Sequence, residues 1–67
     1  MNISRMKIQR TKKGLTQKDL RVQTQTGLTT LVKIEKGNID GVRVRTLRKI
    51  AQALDSNISD LFFSEDN

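Results

Sequence analysis

The sequence predicts an all-α domain of short helices, and three observations carry that prediction. Apolar residues recur three and four places apart, most clearly at Val44, Leu47, Ile50, Ala51 and Leu54. Residues suited to helix ends separate these runs: Gly14, Thr16 with Asp19 three places on, and the glycine-rich GNIDG at 37–41. A chain of 67 residues with no cysteine and no histidine has neither disulfide nor zinc staple. It must draw its stability from regular helix packing around one thin core.

Residues 2–13 read as the first helix. Asn2 or Ser4 can cap it, and Ile3, Met6 and Arg10 share its inner face. A guanidinium facing a core needs a carboxylate, and Glu35 is the expected partner in a bidentate structural pair; a part-exposed Arg10 reaching a phosphate is the other reading. Lys12 and Lys13 suit the negative end of the helix dipole, and Gly14 can take the left-handed cap conformation. Leu15 tucks back toward the core. Thr16 and Asp19 form a capping box opening a second helix at Gln17, which runs to about Thr24. Gln17 and the free N–H groups beside it are a candidate phosphate clamp.

The stretch QKDLRVQTQTGLTTLVKIEKG, residues 17–37, reads as two helices joined by a tight turn. Leu20, Leu31 and Ile34 anchor it to the core, which leaves Thr29, Thr30, Val32, Lys33 and Lys36 for the outer face. Hydroxyls and ammonium groups on one helix face suit the major groove of DNA, where they can meet base edges, thymine methyls and phosphates. GNIDG is then a loop. Arg43 and Arg45 follow at a helix start, where cations are mildly unfavourable. Phosphate contact is the reading that explains them; a solvated surface is the alternative. Val44 to Leu54 form the fourth helix, inner face as above, with Arg48 and Lys49 solvated. Asn57 caps a last short helix with Ile58, Leu61 and Phe62 inward. So short a helix cannot easily bury both phenylalanines, so Ser59, Phe62 and Phe63 are the candidate interface for a second copy of the chain.

Charge narrows the function classes. All thirteen Lys and Arg lie in residues 1–49 with Asp19, Glu35 and Asp40, leaving +10; residues 50–67 hold Asp55, Asp60, Glu65 and Asp66 and no base, leaving −4. That separation is the footprint of a polyanion binder. An enzyme is not expected, because there is no histidine, no cysteine, no phosphate-cradling glycine loop and little room for a pocket. Nor is a metal, a cofactor or a small-molecule ligand. RNA recognition lacks an aromatic stacking platform, since Phe62 and Phe63 are the only aromatic residues. No apolar run of about eighteen residues and no signal peptide is visible, so no membrane span is expected and the protein reads as cytoplasmic.

LTQKDL at 15–20, IEKG at 34–37 and TLRKIAQAL at 46–54 resemble the phage repressor and Cro helix-turn-helix family, the XRE-like regulators. SRMKIQR at 4–10 is similar to the first helix of the short lambdoid repressor domains. The resemblance spans nearly the whole chain. It implies a compact five-helix, lambda-repressor-like domain over residues 1–63, with 64–67 a frayed acidic tail. It further implies phosphate contact at Gln17, with Leu28, Thr29, Thr30 and Lys33 facing bases. Lys36, Arg43 and Arg45 would add phosphate contacts. Two places depart from the family. Arg21 stands where the family usually has alanine, and Gln25 where it often has the glycine of the turn. Either Gln25 adopts a positive φ, at roughly 1 kcal/mol, or the turn is re-registered around Gly27. Leu28 is then either a thymine-methyl contact or core. The expected function is that of a transcriptional regulator, a repressor by expectation, binding an inverted-repeat operator in double-stranded DNA as a homodimer. The alternative is an antitoxin or adaptor whose main partner is another protein.

Overall fold

A computed structural model describes residues 4–63. The order of elements is α1 (Arg5–Lys12), α2 (Gln17–Thr24), α3 (Leu28–Glu35), α4 (Val44–Ala53) and a single wide π-type turn, Ser59–Phe63. The architecture is all-helical, with five helical elements and no strand among the described residues. Asn2 and Ile3, expected in the first helix, and the expected acidic tail at 64–67 lie outside the described residues.

Local chemistry sets the helix ends. Ser4 caps α1 by accepting from the Lys7 N–H at 3.1 Å. At the other end Gly14, at φ +71°, reverses the chain, and the Leu15 and Gly14 N–H groups return to the carbonyls of Arg10 and Thr11. Those are the two bonds of a Schellman cap. Thr16 and Asp19 satisfy each other's backbone N–H groups at 3.0 and 2.8 Å, a complete capping box at the start of α2. The Thr16 N–H first, and the Thr16 hydroxyl second, hold the exposed Asp19 carboxyl below the usual carboxylate range, with desolvation opposing them. A group whose pKa is depressed by folding contributes stability above its unfolded value and loses it as pH falls through its folded value. Asn57 Oδ1 accepts from the Asp60 N–H at 2.8 Å and starts the last turn.

The turn between α2 and α3 keeps its register at Gln25. Gln25 sits in the left-handed region at φ +54°, ψ +38°, while Gly27 caps α3 with an ordinary negative φ. Re-registration around the glycine therefore does not occur. Thr24 and Thr26 explain why: both are buried, Thr24 Oγ1 donating to the Leu20 carbonyl at 2.6 Å and Thr26 Oγ1 to the Thr24 carbonyl at 3.3 Å. Moving the reversal two residues along would pull Thr26 out of this seat.

The core is Met6 from α1, Leu20 from α2, Leu31 and Ile34 from α3, Leu47, Ile50 and Ala51 from α4, then Leu54 and Leu61. Helix α2 packs on both α3 and α4, and α1 packs on the last turn. Leu15, Ile58 and Phe62 close the edges of the cluster while Phe63 remains 57% exposed. Val44 departs from the expected inner face and is 55% exposed. It is the first residue of α4, and helical side chains lean toward the N-terminus, so at that position the side chain overhangs the helix end instead of meeting the core.

Gln25→Gly should raise unfolding stability by about 0.5–1 kcal/mol in a urea titration, because glycine relieves the left-handed strain; an unchanged midpoint would mean the turn stores none. Asp19→Ala should lower the melting temperature at pH 7, and the gap from wild type should narrow as pH drops below the ordinary carboxylate range. A gap that persists in acid would detach that stability from the carboxylate charge.

Candidate nucleic-acid interface

Helix α3 is divided lengthwise. Leu31 and Ile34 are 0% and 1% exposed and set into the core. On its other sides Leu28, at 45%, and Thr29 are exposed, and Thr30, Val32 and Lys33 are half-buried. Leu28 is thus not a core residue. Gly27 offers no side-chain cap, so the first amides of α3 are left open toward solvent, a positive dipole end. The front of this helix carries two hydroxyls, one ammonium group and two apolar side chains.

Behind it lies a polar cluster that fixes three elements at once. Arg10 Nε donates to Glu35 Oε2 at 2.8 Å and Nη2 to Oε1 at 3.3 Å, while Nη1 donates to the Leu15 carbonyl at 2.7 Å. Gln17 Nε2 donates to the same Glu35 Oε1 at 2.9 Å. With side-chain exposures of 12% for Arg10 and 7% for Glu35, little water competes. The end of α1, the start of α2 and the end of α3 are thereby tied to a single carboxylate. The Gln17 side-chain amide, expected to clamp a phosphate, is committed here. What Gln17 offers outward is its backbone N–H, since the capping box occupies those of Thr16 and Asp19 and leaves those of Gln17 and Lys18 without helical acceptors.

The other expected contacts are arranged as follows. Lys33 Nζ donates to the Asp40 carbonyl at 3.3 Å, joining α3 to the loop that follows. Lys36 is exposed at the C-terminal end of α3. Arg43 occupies the N-cap position of α4 with no side-chain cap, and Arg43 and Arg45 are both exposed. The Thr46 and Leu47 N–H groups turn back to the Arg43 carbonyl, so the open amides of Val44 and Arg45 lie in the same helix start as two exposed arginines. That combination suits an anion. Ser59 is exposed and Phe62 half-buried at the last turn, away from α3 in the chain.

Two features escaped the sequence reading. The bond from Gln17 to Glu35 was one; the only signal for it was that Gln17 opens α2 next to the pair already expected between Arg10 and Glu35. The other is an open cleft between the starts of α2 and α3, lined by Arg10, Thr16, Gln17, Lys18, Arg21 and Leu28. Arg21 could have been placed there from its spacing of four from Gln17. Among the described residues no cluster of three or more acidic groups could hold a metal, and no helix is long and apolar enough to cross a membrane.

Compared with known families, the chain matches the Cro/C1-type HTH DNA-binding domain over residues 3–66. No curated relative matches the sequence.

Glu35→Ala should destabilise the fold by about 3 kcal/mol in urea titration, because it leaves a guanidinium buried without its partner. The double variant Arg10→Met/Glu35→Leu should recover most of that loss. A single-variant cost below about 1 kcal/mol would mark the pair as a solvated surface contact.

Proposed function

Since the chain belongs to the Cro/C1-type HTH DNA-binding domain family and is a DNA-binding regulator, we propose that it is a repressor that binds an inverted-repeat operator as a homodimer. The observation that carries the reading is the division of α3, with Leu31 and Ile34 sealed behind and an open, uncapped N-terminal turn in front. Such a helix can lie in a major groove with its first residues against base edges. Leu28 would meet a thymine methyl, Thr29 and Thr30 would hydrogen-bond bases or phosphates, and Lys33 would exchange its long bond to the Asp40 carbonyl for a guanine acceptor.

The Gln17 backbone N–H, Lys36, Arg43 and Arg45 would hold phosphates on either side. Two copies would meet through Ser59, Phe62 and Phe63, where the exposed Phe63 ring gains most from cover. Their reading helices would then sit about 34 Å apart, one turn of DNA. The DNA-binding domain would span residues 1–63, followed by the acidic segment 64–67.

Duplexes selected from a random oligonucleotide pool test this directly. The recovered sites should be inverted repeats bound by two chains in sedimentation analysis, and log K should fall with log salt at a slope near −5 if about six phosphates are neutralised. Lys33→Ala should relax base preference, while Arg43→Ala should weaken selected and unrelated duplexes alike. A flat salt dependence, or undiminished discrimination by Lys33→Ala, would defeat the proposed contacts.

A further inference from the structure

We propose that Arg21 is an additional contact to the DNA backbone, holding a phosphodiester group at the mouth of the cleft between the starts of α2 and α3. The inference rests on the reading of α3 as the groove-borne helix and extends it to a residue that reading does not use.

Arg21 lies next to Leu20, which packs into the core at 0% exposure. Arg21 itself is exposed, and it lines the cleft with Gln17, Lys18 and Leu28. Gln17 and Arg21 are four apart on α2, so they are stacked on one face. The charges there do not cancel. Glu35 is taken up by Arg10 and Gln17, which leaves Lys18 and Arg21 as uncompensated cations of the lining. Arg10, Lys13 and Lys33 each have a partner within the protein, whereas the Arg21 side chain makes no hydrogen bond or ion pair among the described residues.

The opposite wall is the exposed side chain of Leu28, the first residue of the helix proposed to enter the groove. Whatever strand passes Leu28 must pass the cleft, and the repeating anion of that strand is the phosphodiester. A planar guanidinium with parallel donors matches two phosphate oxygens, while the apolar wall suits a deoxyribose ring. Arg21 would therefore add affinity without sequence preference.

The test uses the full chain with Arg21→Ala and Arg21→Lys. Each is titrated by fluorescence anisotropy against a duplex selected from a random pool and against an unrelated duplex of equal length. Arg21→Ala should weaken both about tenfold and flatten the log K against log salt slope by about 2 per dimer, one contact from each protomer. Arg21→Lys should restore most of the slope, and the melting temperature should not move. Unchanged affinity and slope overturn the inference. So does a loss confined to the selected duplex at unchanged slope, which would make Arg21 a base reader, or a lower melting temperature with intact binding, which would make it a helix-end charge. Arg43→Ala is the control: if it too leaves binding unaltered, the failure lies with the interface as a whole.

Discussion

Glu35 is the point on which the arrangement of the helix pair depends. One carboxylate receives Arg10 from the end of α1 and Gln17 from the start of α2, and it is itself the last residue of α3. Arg10 carries the bond onward to the Leu15 carbonyl in the connection between α1 and α2. Apolar packing alone is non-directional and would tolerate small rotations of α3 about its own axis. Hydrogen bonds at 2.8 and 2.9 Å do not. The angle at which α3 presents its front is therefore set by polar geometry, and the apolar core supplies the adhesion.

This division of labour suits a chain of 67 residues. Nine residues make up the buried apolar cluster among those described, too few to fix every helix end by packing alone. Capping does much of that work: Ser4, the Thr16–Asp19 box, Asn57, and left-handed reversals at Gly14 and Gly37. Asp55, at φ +52°, reverses the chain after α4 in the same way, and its carboxylate pairs with Lys13 beyond α1. The surface is thereby free for function, and the cations on α2, α3 and the start of α4 need not support the core.

The front of α3 and the start of α4 are joined by a short loop, and Lys33 crosses it to the Asp40 carbonyl. A residue proposed to read bases is thus linked to the segment that carries Arg43 and Arg45. In the free protein this bond occupies the ammonium group, so a base acceptor would have to displace it. At the other edge, the Gln17 amide is committed to Glu35, which leaves backbone amides and the exposed Lys18 and Arg21 at the outer side of α2.

By itself the sequence determined what depends on near neighbours. The three-and-four spacing of Leu47, Ile50, Ala51 and Leu54 marks a helix face, Thr16 with Asp19 marks a helix start, and the matched blocks from Leu15 to Leu54 mark the family. These are local because helix periodicity and capping bonds reach only three or four residues. Tertiary structure decided the rest. Gln25 rather than Gly27 takes the left-handed turn, with Thr24 and Thr26 on either side of it buried. Val44 fits the spacing but is exposed, because as the first residue of α4 its side chain overhangs the helix end. Whether Gln17 faced solvent or Glu35, and which cleft Arg21 came to line, could not be read from intervals along the chain. Those outcomes depend on where separate helices come to rest against one another, and that position is a property of the assembled core.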